Sequence, residues 1–143
     1  MPTQTYENHV QRVPAFGIML LLLFFTIIGS CVNLYKSWGD HQRLYSASLI
    51  LVLGIGATGG VIFGRVFALK AQDRAIRAEE NLRHYVLTGK LLDPRLEPLQ
   101  IVGLRFASDE EFVELARRAA EKNMKPDEIK RAVRSWRPDT YRA

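Results

Sequence analysis

The stretch that decides the fold is LYSASLILVLGIGATGGVIFGRVFALKAQDRAIRAEENLRHYVLT, which runs from Leu44 to Thr88. Its first part, Leu44 to Gly64, carries no charge and is long enough to cross a bilayer. Its second part, Arg65 to Thr88, is rich in charged residues that favour helix. No proline interrupts the stretch, and Gly89 is the first strong stop signal. The pattern therefore predicts one continuous helix that begins in lipid and ends in water.

A second uncharged run precedes this stretch. It extends from Val13 to Leu34, which is the length of a membrane-spanning helix, and Pro14 suits its first turn. Only a short polar segment, residues 36–43, separates the two runs, so the pattern predicts two spans in an antiparallel hairpin. Four residues near the ends of the runs have the character of membrane-interface anchors: Tyr35, Trp38, Arg43 and Arg65.

The distribution of Lys and Arg predicts how the hairpin is oriented. Six basic residues near the runs lie on the side of the chain termini: Arg12, Arg65, Lys70, Arg74, Arg77 and Arg83. The segment between the runs contributes two, Lys36 and Arg43. Because basic residues accumulate at the cytoplasmic ends of membrane spans, we expect both termini in the cytoplasm.

Small residues recur along the predicted long helix. Four of them, which we call the glycine row, stand four residues apart: Gly56, Gly60, Gly64 and Ala68. This spacing lets two membrane helices approach closely. The partner could be the first run, another copy or a different protein. The first run offers only Gly17 at a matching depth, so the spacing favours a partner outside the chain.

Beyond the apolar part, the small residues change to a heptad-like spacing. Ala68 is followed, in steps of three and four, by Ala71, Ala75 and Ala78, which we call the alanine seam, and then by Leu82 and Tyr85. Alanines bury little area, so the seam is too shallow to hold a dimer alone and would accept a helix that lies close. Together the glycine row and the alanine seam are the predicted helix-packing interface.

After Gly89 the sequence predicts a linker and a small helical cap. Two prolines, Pro94 and Pro98, mark an ordered linker, and the apolar segment 99–106 is expected to form a brief helix. Ser108, with Glu111 three residues later, predicts a capping box at the start of the next helix.

A further helix is expected to follow in the cap. Pro126 suits its first turn and Pro138 ends it. The expected core of the cap consists of the large apolar residues on the inward faces: Phe106, Phe112, Leu115, Ile129, Val133 and Trp136.

Residues that could bind a metal or take part in catalysis are scattered along the sequence. The three histidines, His9, His41 and His84, are far apart, and neither apolar run contains one, so we expect no metal and no haem. Cys31 has no base near it, and the glycines of residues 54–64 lack the Lys-Ser/Thr of a phosphate-binding loop. Neither run contains an acid or base for an ion relay. We therefore expect no enzyme, no catalytic residue and no cofactor.

The charge balance also bears on partners. The formal net charge of the 143 residues is +5, which basic residues flanking membrane spans explain. The basic residues of the cap are interleaved with acidic ones, whereas a nucleic-acid-binding domain usually has a strong excess of positive charge on one face. We therefore do not expect nucleic acid as a partner. Two carboxylates in the long helix, Glu79 and Glu80, are expected on its solvated surface, with Glu79 paired to Arg83.

Three segments carry a resemblance to a known family. They are TYENHVQRVPAFG (residues 5–17), RVFALKAQDRAIRAEENLRHYVLTGKLLDPRLEPLQIVGLRFASDEEF (residues 65–112) and SWRPDTYR (residues 135–142). The chain resembles an uncharacterised family of small bacterial membrane proteins with two spans and a helical cytoplasmic tail. The resemblance covers nearly the whole chain, supports the topology and implies no activity, so it assigns no functional residue.

The predicted fold is all-α, and the bacterial resemblance places it in the inner (cytoplasmic) membrane. Seven parts are expected in chain order: an N-terminal cytoplasmic tail (1–12), transmembrane helix 1 (13–35), a short periplasmic loop (36–43), transmembrane helix 2 (44–69), a cytoplasmic helix extension (70–88), a linker (89–98) and a cytoplasmic helical cap (99–143).

The sequence predicts two packing surfaces, the glycine row and the alanine seam, and no catalytic or cofactor site, which indicates a structural role. The leading hypothesis is a non-catalytic accessory subunit of a larger inner-membrane complex; respiratory and photosynthetic energy-transducing complexes commonly carry such subunits. One alternative is a self-assembling homo-oligomer or small channel built on the glycine row. Another is a membrane-tethered adaptor whose cap binds protein or nucleic acid. The expected partners are therefore membrane lipids and other membrane subunits, with further copies of the chain as the alternative.

Overall fold

The computed structural model describes residues 4–8 and 13–139, and this part of the chain forms five helices. They are α1 (Pro14–Lys36), α2 (His41–Thr88), α3 (Pro98–Leu104), α4 (Asp109–Lys122) and α5 (Pro126–Ala132). The described residues contain no β-strand, only a single antiparallel bridge, so the all-α prediction is confirmed. Arg12 and the ends of the predicted tail and cap lie outside the described residues.

The long helix forms as one uninterrupted element. α2 has 48 residues and is therefore about 72 Å long, with a rise of about 1.5 Å per residue. It ends one residue before Gly89, whose φ of +72° lies in the left-handed region that glycine adopts without strain. Both α1 and α2 are long and apolar enough to cross a membrane.

The start of α2 corrects the predicted loop boundary. The helix begins at His41, so the last three residues of the predicted loop 36–43 are helical, as is Lys36 at the end of α1. The cause is Asp40, whose side chain accepts a hydrogen bond from the Arg43 backbone N–H at 3.2 Å, as a helix N-cap residue does. The turn that remains is short and contains Gly39 with a φ of +99°.

The chain divides into two compact units, and the first comprises residues 12–68. It holds α1 and the first part of α2, which pack along what we call the hairpin seam. On α1 the less exposed positions recur every three or four residues: Phe16, Leu20, Leu23, Ile27, Ser30 and Leu34. On α2 they recur in the same way: Leu44, Ala47, Leu51, Gly54, Thr58, Val61 and Arg65. Alternating steps of three and four residues are typical of two helices that pack along their length and wrap around each other.

The second unit comprises residues 1–11 and 69–143 and has an apolar core of its own. Five of the six predicted core residues are buried, and Trp136 is half-buried, with its ring 4.8 Å from that of Phe106. The core extends into the linker, because Leu92 and Leu96 are buried in it as well. The predicted linker is therefore part of the folded cap and does not merely connect the cap to α2.

The end of α5 corrects the predicted position of Trp136. Val133 has extended backbone angles, so the helix ends at Ala132 and Trp136 lies outside it. The cause is the bridge between Ala107 and Trp136, in which the Arg137 N–H donates to the Phe106 carbonyl at 2.7 Å. These backbone hydrogen bonds hold the segment after α5 in an extended conformation beside the α3–α4 connection.

The predicted capping box at α4 does not form. Ser108 occupies the N-cap position, but its side chain makes no capping hydrogen bond. The Glu111 carboxylate instead accepts hydrogen bonds from the backbone N–H groups of Arg134 (3.1 Å) and Ser135 (3.0 Å). Glu111 thus joins the start of α4 to the segment after α5. Without the Glu111 carboxylate, these two backbone N–H groups would have no partner within the protein.

Candidate interaction surfaces

The glycine row is not used to pack the hairpin. Gly56, Gly60 and Gly64 are exposed, and a Cβ atom added at any of them would meet no atom within 4 Å. The helix contact is made at Gly54 instead, where an added Cβ would lie 3.5 Å from the Ile27 Cγ1. The glycine row therefore presents an uncovered strip of backbone. Its role as an interface with a partner outside the chain stays a prediction.

The alanine seam is also uncovered within its unit. Ala71, Ala75 and Ala78 are exposed, and beyond them the side chains of Leu82 and Tyr85 are 63% and 53% exposed. The cap contacts a different face of α2 through Arg83 and His84, and Ile76 and Glu80 on that helix are buried. The seam thus accepts no helix among the described residues of the chain.

The contact between α2 and the cap centres on Arg83, which is 10% exposed. Its Nη1 donates to the Glu80 Oε2 at 3.0 Å, its Nε to the Asp109 Oδ1 at 2.7 Å, and its Nη2 to the Ala107 carbonyl at 2.7 Å. The guanidinium also stacks over the Phe112 ring, 4.2 Å from its centroid. One side chain therefore ties the long helix to the start of α4 by charge, hydrogen bonds and ring contact.

The Arg83 contacts correct two expectations. Glu80 is buried, not solvated, and Arg83 pairs with Glu80 where the helix spacing had indicated Glu79. Both acids lie within one turn of Arg83, so helix spacing alone could not choose between them. The choice follows from the cap, because Asp109 and the Ala107 carbonyl hold the guanidinium on the Glu80 side.

A short N-terminal segment also contacts the cap. The Tyr6 hydroxyl donates to the Asp127 Oδ1 at 2.6 Å and accepts from the Arg131 Nε at 3.1 Å, while the Arg131 guanidinium lies 5.0 Å from the centre of the Tyr6 ring. The Gln4 Oε1 accepts a hydrogen bond from the Asp139 backbone N–H at 2.7 Å. Residues 4–8 thus bind the same unit that the C-terminal helices form, a contact that no sequence pattern had signalled.

The contact between Tyr6 and Asp127 leads to a prediction about the pKa of the Asp127 carboxyl group. The Tyr6 hydroxyl holds the pKa of Asp127 below its ordinary value of 3.8, and the Arg131 charge acts in the same direction. A carboxyl with a depressed pKa stabilises the docked segment above pH 3.8 and loses that effect as the pH falls through the docked-state pKa. We expect the Tyr6→Phe variant to move the pKa of Asp127 up toward 3.8 in carboxyl NMR titrations of the full chain.

Asp93 provides the internal control for that titration. Hydrogen bonds from Arg95 lower the pKa of Asp93 to about 2, and Tyr6 takes no part in them. The pKa of Asp93 should therefore be the same in both proteins. If the pKa of Asp127 also failed to move, the contact between Tyr6 and α5 would not exist in solution.

Three of the four predicted interface anchors lie at or beside the turn between α1 and α2, and the fourth, Arg65, lies within α2 near the end of the first unit. Tyr35 and Trp38 are more than four-fifths exposed near the turn, and Arg43 forms an ion pair with Asp40 at 3.2 Å. At the other end, the Arg65 guanidinium lies 5.8 Å from the centre of the Phe16 ring. Exposed side chains such as Tyr35, Trp38 and Arg43 suit the headgroup layer of a bilayer, whereas Arg65 is half-buried, and the role of all four as anchors stays a prediction.

One shallow cavity of about 280 Å³ lies on the cap between α4 and the segment after α5. Its lining is mixed in charge, with three glutamates and two arginines: Glu110, Glu111, Glu114, Arg118 and Arg134. The described residues contain no group of three or more His, Cys, Asp or Glu side chains that could hold a metal ion. The carboxylates and guanidinium groups around this cavity form a surface of mixed charge.

Comparison with known proteins places the whole chain in one family. A family of unknown function, DUF6526, has a family model that matches residues 1–143. No curated protein and no solved structure matches the sequence.

Proposed function

We propose that this chain, which belongs to the DUF6526 family of unknown function, is a two-span bacterial inner-membrane protein that serves as a non-catalytic accessory subunit of a larger membrane complex. The observation that carries the proposal is the open glycine row. The hairpin is held by its own seam, whereas Gly56, Gly60 and Gly64 form an exposed strip that nothing in the described chain fills. In lipid, such a strip allows the close approach of another helix.

The exposure of the two apolar helices supports the membrane part of the proposal. Only 6% of the apolar window of α1 and 11% of that of α2 are buried, whereas the core helix of a soluble protein is mostly buried. An exposed apolar surface of this extent is stable in lipid and not in water. In addition, α1 packs along a regular seam with α2, as a retained span would and a cleaved signal sequence need not.

The N-terminal segment supports a hairpin with both ends on one side. Residues 4–8 and helix α5 belong to the same compact unit and are joined by Tyr6. An even number of membrane crossings brings these two parts to one face of the membrane, and two spans satisfy that condition. The excess of basic residues near the spans on this side supports a cytoplasmic location for it, in line with the positive-inside rule.

The glycine row is tested by placing a large side chain in it. We expect the Gly60→Leu variant to lose the co-purifying partner, because the leucine would separate two helices that approach at the row. The measurement is the mass of the complex that gentle detergent extracts from native membranes. Partner proteins at their wild-type amounts would contradict the proposal, and a single repeated mass of this chain would replace it with self-assembly.

Gly54 supplies the matched control for that test. It lies two residues before Gly56, the first residue of the row, but an added side chain there meets Ile27 of α1. We expect Gly54→Leu to destabilise the hairpin by about 1–3 kcal/mol, as overpacking does, and to lower its melting temperature in detergent. Gly60→Leu should leave the melting temperature unchanged, since its side chain enters open space in the isolated chain. Equal melting temperatures of the two variants would contradict the described seam.

A further inference from the structure

Three basic side chains form a stripe on the part of α2 that follows the apolar run. Lys70, Arg74 and Arg77 stand at positions i, i+4 and i+7, so they lie within about 60° of one another around the helix. We call them the basic stripe. It lies on the same helix as the alanine seam, and all three residues are exposed.

Few acidic groups near the basic stripe could neutralise it. Asp73 is spaced to pair with Arg77, but no ion pair between them forms among the described residues. Glu80 is engaged by Arg83 on the cap-facing side of the helix. The three cations therefore face solvent with one neighbouring acid, although the rest of this unit pairs many of its arginines.

The position of the basic stripe suits the surface of a bilayer. Lys70 follows Gly64, the last residue of the uncharged run, by six residues, which is about 9 Å along the helix. Side chains of an α-helix tilt toward its N-terminus, and here that direction points back to the apolar run. Lys and Arg side chains can lay their methylene stems along apolar surface and keep the charged head in the polar layer.

We propose that the basic stripe binds the anionic headgroups of phospholipids such as phosphatidylglycerol in the cytoplasmic leaflet. This inference rests on the membrane placement proposed above. Charge complementarity selects the occupant, because three cations on one helix face at the edge of an apolar span meet a layer of phosphates. Each basic residue near an anionic membrane surface adds to the attraction, which acts over about a Debye length.

The stripe differs from a nucleic-acid surface in its extent. It has a single row of three cations about 10 Å long, whereas a duplex binder presents a wider basic face. The positions beside the stripe on α2 add no further cation, and two of them are carboxylates, Asp73 and Glu80, which would repel the phosphates of a duplex.

The test counts lipids bound to the full chain. The wild-type protein in gentle detergent receives equal amounts of phosphatidylglycerol and phosphatidylcholine, and native mass spectrometry measures how much of each it retains. We expect the preference for phosphatidylglycerol to fall about tenfold or more in the triple variant Lys70→Gln, Arg74→Gln, Arg77→Gln. Glutamine keeps the helix propensity, so α2 remains folded.

The matched control removes the same charges elsewhere. The triple variant Lys122→Gln, Arg134→Gln, Arg137→Gln changes three exposed residues of the cap and should keep the wild-type preference. An equal loss in both triple variants, or no loss in the stripe variant, would overturn the proposal. A carbonate wash of membranes checks the premise separately: retained protein without lipid preference rejects only the lipid site, whereas released protein rejects the membrane placement as well.

Discussion

Replacing Arg83 by methionine is expected to destabilise the cap by about 3–5 kcal/mol, because the change leaves a buried carboxylate without its partner. Glu80 is 5% exposed, and the Arg83 guanidinium is the cation paired with it. The substitution also removes the hydrogen bond to the Ala107 carbonyl and the contact with the Phe112 ring. Methionine keeps much of the apolar stem, so the loss reports the charge and the hydrogen bonds.

The measurement is urea unfolding of the full chain in detergent, followed by the fluorescence of Trp136. A Trp38→Phe background removes the only other tryptophan, and Trp136 reports the cap because its ring lies against Phe106. The control is Arg117→Met, since Arg117 is exposed and its ion pairs with Glu114 and Glu121 lie on the surface of α4. That control should change the unfolding midpoint little.

A double variant makes the test of the buried pair sharper. Replacing Glu80 by methionine together with Arg83 removes both charges, and an apolar pair of similar volume often recovers the stability that a single deletion loses. We therefore expect the double variant to be more stable than Arg83→Met alone. A double variant as unstable as the single one would show that the Arg83 contacts with Asp109 and Ala107, not the buried pair, hold the cap.

The second large effect is expected for Leu104→Ala, at about 2–5 kcal/mol, which is the cost of a cavity in a core that cannot collapse around it. Leu104 is fully buried at the end of α3, where the cap core surrounds it. The same Trp136 fluorescence and urea titration measure the loss. The size of the effect follows from close packing, because the neighbouring helices are held by their own connections and can fill the space only in part.

Leu99 provides the matched control on the same helix. It lies five residues before Leu104 on α3, and its side chain is 57% exposed. The Leu99→Ala variant removes the same atoms without opening a cavity, so it should cost less than about 1 kcal/mol. Similar unfolding midpoints for the two variants would mean that α3 is not packed into the cap as described.

Local signals in the sequence identified the elements well. Gly89 marks the end of α2, and Pro14 and Pro126 stand in the first turns of α1 and α5. Asp40 is an N-cap residue as well, and a helix that begins directly after it starts at His41, about one turn before the predicted start at Leu44. These features depend on the conformational preferences of single residues and their immediate neighbours, so they are visible without the fold.

The packing partners of α2 were not visible in the same way. An amphipathic helix shows which face is buried because its other face is polar, but the first part of α2 is apolar on all sides. The hairpin seam through Ala47 and Gly54 therefore left no periodic mark, whereas the glycine row stood out by its small residues. The structure separates the two: the seam holds α1, and the row is uncovered.

The sequence by itself determined that this protein is helical and that two apolar segments could span a membrane. It also determined that the second apolar segment continues without a break into the charged part of the same helix, α2. Those properties are sums over neighbouring residues. Only the tertiary structure decided that Arg83 binds buried Glu80, that Tyr6 binds α5, and that linker leucines enter the cap core. Glu80 and Arg83 are only three residues apart, but Asp109 and the Ala107 carbonyl hold the guanidinium on the Glu80 side. Each of the three outcomes therefore depends on a group from another part of the chain, whose approach requires the folded chain to offset the entropy of closing the intervening loop.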